Sequence, residues 1–403
     1  MDIYVARQPV FTADRKIFGY ELLFRAGLEN AFPDIDGDVA TSKVLSNTFF
    51  SFDLKQILGD KPGLVNFTRK LLLQKAPLIF PQSHIIVEIL EDIEPEKKVL
   101  DAMAAIRDKG FNLALDDFIF HKRFEPMMAM ASIIKFDLIA TPLDSLEQIV
   151  SDIKEKYEIT LLAEKVETYE EFNQAKAMGF TLFQGYFFSK PEILSNREIS
   201  TPQISKLKLM NEINQTEMDL NSVETLIKND VSISFKLLKF INSAYFQRPV
   251  PVNTIKDAMT FLGSEELRKF INIIAVAGLD ENKPNELIRS SVIRARMCEL
   301  CGTVMKTGFT TDELFTMGLF SHMDAILDLP MEEILNTISL SDTIKAALSG
   351  ENRNFKKILD IVASFEQGDW QNNFYSVMKG LPIERRLPEF YLDAIKMVNS
   401  FFE

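Results

Sequence analysis

Eight oxygen-bearing side chains in the first half of the chain, with one lysine among them, have the types and the local setting to hold a hard cation. Glu21 lies within the run Tyr20–Leu23, Asn66 follows Leu64-Val65, and Glu88 follows Ile86-Val87. The pair Asp116-Asp117 follows Leu113-Ala114-Leu115, and Lys135 follows Ile133-Ile134, with Asp137 two residues on. Glu164 closes Leu161-Leu162-Ala163, and Gln184 closes Thr181-Leu182-Phe183. Neighbouring ionised carboxylates repel, so a fold that gathers them gives them a cation or a shared proton. Glu21, Asn66, Glu88, Asp116, Asp117 and Glu164 make an oxygen donor set, suited to Mg2+ or Mn2+ rather than zinc. Any one of them alone reads as a polar cap on a buried strand. Their coincidence at so many run ends reads as a metal site. A Schiff-base role for Lys135 fits poorly, because the nearby carboxylates would hold the amine protonated.

The elements that must position these residues form a regular alternation. Asp2–Val10 and Lys16–Arg25 read as strands joined by Thr12-Ala13-Asp14-Arg15, which predicts a hairpin. A long helical pattern spans Asp38–Leu58 and stops at Gly59. Strand-like runs then recur at Gly63–Phe67, Ile85–Leu90, Asn112–Phe118, Ile133–Leu138, Thr160–Val166 and Thr181–Phe188, with helical patterns between them. The helix over Glu94–Lys109 has Pro95 near its start and Gly110 past its end, and the helix over Tyr169–Met178 stops at Gly179. About eight strands, six of them separated by helices, predict a TIM-like (βα)8 barrel whose strand ends share one face. The open doubly wound sheet is the rival, and no Gly-x-Gly-x-x-Gly follows any strand to favour its dinucleotide-binding form.

Composition narrows the partners. The chain has 403 residues, enough for two cores, and 46% are hydrophobic. A net charge of −13 argues against a nucleic-acid polymer or an anionic membrane as partner. No run approaches the length of a membrane span, and Met1-Asp2-Ile3-Tyr4 does not read as a signal-peptide start. Only Cys298 and Cys301 are present, which rules out a disulfide framework and suggests a cytoplasmic location. Three histidines, His84, His121 and His322, are too few and too scattered for a His-rich metal centre.

These residues resemble a known family. Glu21-Leu22-Leu23-Phe24-Arg25 is similar to the Glu-Ala-Leu-x-Arg signature of EAL domains, which hydrolyse cyclic di-GMP. The likeness continues through Val65-Asn66-Phe67-Thr68, Glu88-Ile89-Leu90-Glu91, Asp116-Asp117-Phe118, Lys135-Phe136-Asp137, Ala163-Glu164-Lys165-Val166-Glu167-Thr168 and Gln184-Gly185-Tyr186-Phe187-Phe188-Ser189-Lys190-Pro191. It covers about residues 1–195 and implies a modified barrel with one antiparallel strand. It also implies that Glu21, Asn66, Glu88 and Asp116 coordinate divalent metal and that Asp117 holds a second ion or its water. Lys135 would hold the attacking water or a phosphate oxygen, and Glu164 would position metals and nucleophile. Gln184 would line the site, Gln8 and Arg25 would contact the dinucleotide, and Glu91 would anchor a loop. The chemistry implied is two-metal phosphodiester hydrolysis.

The chain departs from the family pattern at three places. Ile119-Phe120-His121-Lys122-Arg123 replaces Gly-Thr-Gly-Tyr-Ser, Lys165 replaces a Gly, and Leu90 replaces a Thr. Glycines reach backbone conformations that a β-branched Ile resists, so the family's loop cannot form in the same way. Changes around metal ligands lower affinity or rate.

Beyond Glu192–Pro202 strand-like runs give way to helical period. Helices are predicted at Gln203–Asn214, Ser222–Lys228, Ser232–Ile241, Ile255–Phe261, Ser264–Ala277, Leu287–Cys301, Thr311–Leu327 and Met331–Thr337, with Gly263 and Gly302 as breaks. The segment Phe235–Phe246 with Ile255–Gly263 resembles HDOD domains, helical relatives of the HD phosphohydrolases. Gly318-Leu319-Phe320-Ser321-His322-Met323 has one His and no following Asp, so no His-Asp metal centre assembles. His322 reads as a packed or hydrogen-bonded helix residue, and Cys298 and Cys301 as two half-buried helix cysteines.

The expectation is therefore an EAL-like barrel domain over residues 1–198 and an all-α HDOD-like domain over 199–403. The barrel would bind cyclic di-GMP and Mg2+ or Mn2+ with weak or lost hydrolysis. The alternative is an active metal-dependent phosphodiesterase releasing the linear dinucleotide. The HDOD-like domain would meet a signalling protein of unknown identity, and a homodimer is left open.

Overall fold

The structure is a computed structural model and describes residues 4–25, 57–118, 121–190, 201–215, 219–246, 250–279, 284–338, 340–368 and 383–402. The chain divides into two compact units, one within residues 1–188 together with Glu366–Gly368, the other formed by the remainder.

The first unit is a closed eight-stranded barrel in the order β1 to β8. The strands are β1 (Tyr4–Thr12), β2 (Ile17–Arg25), β3 (Gly63–Phe67), β4 (Ile85–Ile89), β5 (Asn112–Leu115), β6 (Ile133–Asp137), β7 (Thr160–Glu164) and β8 (Leu182–Gln184). β1 runs antiparallel to both its neighbours, β2 and β8, and every other pair is parallel. The expected barrel with one antiparallel strand is the one observed. Strands buried on both faces need apolar residues at successive positions, and β3, β4 and β6 are buried throughout.

The barrel's interior explains where the site lies. Val10, Leu64, Ile86, Ala114, Ile133, Leu162 and Leu182 pack into one apolar cluster inside it. Side chains repeat every two residues along a strand, so the next inward positions are Asn66, Glu88, Asp116, Lys135, Glu164 and Gln184. An apolar floor thus carries a polar layer directly above it.

Two strands, β4 and β6, end one residue early, at Ile89 and Asp137, and three others end earlier still, for one physical reason. Asn112–Phe118 shortens to Leu115, Thr160–Val166 to Glu164, and Thr181–Phe188 to Gln184, after which Phe187–Ser189 forms a 3-10 turn. Asp117 (φ 41°), Lys165 (φ 54°) and Gly185 (φ 145°) turn the backbone out of the sheet at those points. The helix expected over Glu94–Lys109 is confined to Lys97–Arg107, so Pro95 precedes it. The helix over Tyr169–Met178 stands as expected, with a Thr168–Glu171 capping box at its start and Gly179 (φ 104°) at its end. Of the pattern over Asp38–Leu58, only Ile57 and Leu58 fall among the described residues.

The second unit is helical throughout its described residues, in agreement with the expected all-α half. Ile213, Val223, Ile227, Leu237, Phe240, Ile241, Leu267 and Phe270 belong to one buried cluster. Ile255–Ala277 forms one element kinked at Gly263 (φ 72°), so that break is real. Gly302 is not a break: it lies inside the helix Asn285–Val304, where a β-carbon would meet Leu314 Cδ1 at 2.4 Å. The single helix expected over Thr311–Leu327 is two, Thr311–Phe320 and Met323–Leu327, separated at Ser321-His322. Cys298 and Cys301 are not disulfide-bonded and are fully buried rather than half-buried, and burial pushes the Cys301 thiol up to about 12. No helix among the described residues is long and apolar enough to cross a membrane.

His322 is buried, its Nδ1 3.3 Å from Ser291 Oγ. Burial, then the Arg294 charge, holds it well below its usual protonation range. Such a histidine protonates first in the unfolded chain, so its contribution to stability is present above about pH 6.5 and lost as pH falls below it. Urea unfolding of the helical unit between pH 6.5 and 5 should lose up to about 1.4 kcal/mol per pH unit, a slope that His322→Gln should flatten. In the barrel, a β-carbon at Gly185 would sit 2.2 Å from the Val166 carbonyl oxygen. Gly185→Ala should therefore cost about 3 kcal/mol or more in chemical denaturation.

Candidate functional site

The polar layer is held by adjacent strands in fixed register. Asn66 and Glu88 are direct partners across β3 and β4, as are Asp137 and Glu164 across β6 and β7, and Gln8 and Glu21 across β1 and β2. Gln184 stands opposite Val10. Short parallel strands therefore bring residues more than a hundred positions apart to one end of the barrel.

Lys135 is the hub. It is fully buried, and its Nζ lies 2.6 Å from Asp116 Oδ1, 2.7 Å from Glu88 Oε1, 2.7 Å from Glu164 Oε1 and 3.5 Å from Glu21 Oε2. Burial alone would strip its proton, but Asp116, Glu164, Glu21 and Glu88 overcome it and hold the ammonium charged well above the ordinary range. The carboxylates feel the opposite imbalance. Burial, against the pull of Lys135, raises Glu88 well above its usual range, and Glu21 and Asp116 raise it further. Glu164 is raised in the same way, by burial and by Asp116 and Glu21. One ammonium cannot neutralise four carboxylates.

The remaining oxygens show where further positive charge would go. Asn66 Nδ2 donates to Glu21 Oε1 at 3.3 Å, while its buried Oδ1 has no hydrogen-bond partner. Gln184 Nε2 donates to Gln8 Oε1 (2.8 Å) and Glu21 Oε2 (2.6 Å), and its Oε1 is likewise buried without a partner. Unmatched acceptors beside surplus carboxylates fit a hard divalent cation. Asp116, Asp117 and Glu164 also present ligand atoms within 4.8 Å of one another.

The expected site residues thus divide. Glu21, Asn66, Glu88, Asp116, Lys135, Glu164, Gln184 and Gln8 form one connected cluster, and Asp117 borders it through Asp116 and Glu164. Glu91 lies in an exposed turn, its carboxyl raised by partial burial and by Asp117 and Asp116. Arg25 closes β2, and its side chain lies outside the described residues. Of the altered loop Ile119–Arg123, Ile119 and Phe120 also fall outside them.

Two features are not anticipated by the sequence reading. Lys165 Nζ pairs with Asp137 Oδ2. A pocket of about 310 Å³ beside Asp116 is lined by Glu91, Phe118, His121, Arg123 and Phe124 among others. The positive φ of Lys165 occurs where the EAL pattern has Gly, which was the available signal for its unusual backbone. No such signal marked the pocket, which needs two loops brought together.

The EAL domain model matches residues 38–191 and the HDOD domain model residues 200–339. The cyclic di-GMP phosphodiesterase CdgJ of Vibrio cholerae is 36% identical over 370 residues, 91% of this chain and 86% of that protein. YuxH of Bacillus subtilis is 31% identical over 412 residues and spans 100% of both chains. Among solved structures, the Bacillus subtilis YkuI protein, with an EAL domain and in complex with cyclic di-GMP and calcium, is 18% identical. It matches 66% of this chain and 73% of its own with a TM-score of 0.37.

Removing the hub charge tests the electrostatic reading. Lys135→Met should destabilise chelator-treated protein by about 3–5 kcal/mol at pH 7 in urea unfolding, because four buried carboxylates lose their cation. Unchanged stability would mean the acids neutralise themselves.

Proposed function

We propose that this chain, which belongs to the family joining an EAL domain to an HDOD domain, is a divalent-metal-dependent cyclic di-GMP phosphodiesterase. The observation that carries this reading is the buried surplus of carboxylates around Lys135, with the Asn66 carbonyl oxygen unmatched beside it. The activity in the name of CdgJ supports the substrate. Glu21, Asn66, Glu88, Asp116, Asp117 and Glu164 would hold Mg2+ or Mn2+. A bound divalent cation supplies Lewis acidity toward phosphoryl oxygens and acidifies a nearby water.

The chain's own groups define the rest. Lys135, kept protonated by its neighbours, is a donor only, so it orients the nucleophilic water or a phosphoryl oxygen and cannot serve as the base. Glu164, 2.7 Å from the Lys135 ammonium and beside Asp116 and Asp117, would position the metals and the nucleophilic water. Gln8 and Gln184 present amide groups on the β1–β8 side, where they and Arg25 would orient the dinucleotide. The barrel domain would span 1–198 and the helical domain 199–403, the latter meeting a protein partner.

A second reading, cyclic di-GMP binding with slow or lost turnover, draws on Lys165, whose ammonium stands among the site's carboxylates. The two are separated by incubating the full chain with cyclic di-GMP and Mg2+ or Mn2+ and resolving the products by chromatography. The expected result is the linear dinucleotide, with turnover at least about 100-fold lower in a folded Glu21→Ala variant. Calorimetric binding of the nucleotide with no product in either metal would sink the hydrolytic reading.

A further inference from the structure

We infer that Lys165 is a built-in cation at the outer edge of the metal cluster, so that one divalent ion binds tightly and a second binds weakly. This rests on the metal reading above and goes beyond it to the site's stoichiometry.

Two groups of carboxylates are distinguishable. The inner one, Glu21, Glu88, Asp116 and Glu164, surrounds Lys135. The outer one, Asp116, Asp117 and Glu164, shares two members with it and adds Asp117. Lys165 belongs to the outer group by position. It follows Glu164 directly at the end of β7, and the strand partner of Glu164 is Asp137 at the end of β6.

The ammonium does not simply extend into water, although the side chain is about half exposed. It closes onto Asp137 Oδ2, while Asp137 Oδ1 accepts from the backbone N–H groups of Ile139 (2.7 Å) and Ala140 (3.2 Å). Both oxygens of Asp137 are therefore engaged, which removes a strand-end carboxylate from the donors open to an ion. Burial opposes the charge on Asp137, but Lys165 and the two amides keep its carboxyl below the usual range. Asp137 first, then Asp117 and Glu164, in turn hold Lys165 charged against its own partial burial.

The backbone sharpens the point. A residue with a β-carbon in the left-handed region is less stable there than glycine by about 1 kcal/mol. Lys165 stands at φ 54°, so its backbone conformation alone favours a different residue. Its ammonium has a defined partner and a defined electrostatic field in return. Replacing Lys165 by Gly would remove one positive charge and free an oxygen of Asp137. A unit charge within several ångströms of a divalent ion in a partly buried site alters affinity by about tenfold or more.

The test is equilibrium Mn2+ binding to the full chain, followed by electron paramagnetic resonance of the free ion and by calorimetry. The parent chain should bind one ion, with a second at least about tenfold weaker. Lys165→Gly and Lys165→Met should both tighten the second ion about tenfold and leave the first within about twofold. Agreement between these two variants assigns the effect to charge, since only glycine relieves the backbone. Lys165→Arg should behave as the parent. Two equal sites in the parent, or a second site unmoved in both neutral variants, would overturn the inference while leaving the metal reading intact. No Mn2+ bound by any of the proteins would remove both.

Discussion

The barrel unit depends on one ammonium group buried among carboxylates. Lys135 has no access to water, and its charge is tolerable only because Asp116, Glu88 and Glu164 lie within hydrogen-bond reach. The apolar floor below, built from one side chain on most of the strands, removes solvent from that side. Low dielectric strengthens each attraction and equally strengthens repulsion among the acids. Lys135 therefore organises the site and leaves it unfinished, with negative charge still to be met. A cation or a proton must complete it.

The same strand ends that carry the acids also carry the unusual backbone. Asp117, Lys165 and Gly185 follow β5, β7 and β8 with positive φ. Each turn comes directly after a site residue: Asp116, Glu164 or Gln184. Ending the strand at that point makes that side chain the last inward one of its strand. Phe118 N still donates to the Lys135 carbonyl at 3.0 Å and Val166 N to the Gln184 carbonyl at 3.0 Å, so the chain is pinned immediately beyond each turn. Non-glycine residues in the left-handed region are found where surrounding structure over-determines them. Here the pinning supplies that constraint at Asp117 and Lys165.

Much of this was legible in the sequence because strand periodicity is local. Leu64 and Asn66, Ile86 and Glu88, Ile133 and Lys135 are each two apart, so an apolar floor and a polar layer follow once the strands are recognised. The resemblance to EAL domains named the same residues. What the sequence did not carry was pairing across the barrel. Lys135 was anticipated beside carboxylates that keep it protonated, but not its direct pairing with Asp116, Glu88 and Glu164. Lys165 was visible only as a bulky cation beside Glu164, because its partner Asp137 lies 28 positions earlier. Gly302 was misread for a related reason: its smallness serves Leu314, a neighbour in another helix, and not a local turn.

The helical unit meets a comparable problem with a different outcome. Lys269 is also buried and paired, at 2.6 Å to Glu299, 2.8 Å to Glu266 and 3.1 Å to Asp312, while Arg296 joins Glu299 to Asp393. Yet Glu266, Asp312 and Asp393 keep 39%, 30% and 38% of their side chains exposed, so water shares the charge. Two cations and solvent suffice for these acids. Around Lys135 the acids are at most 12% exposed and one ammonium serves four of them. The acids around Lys269 thus share their charge with solvent to a degree that those around Lys135 do not.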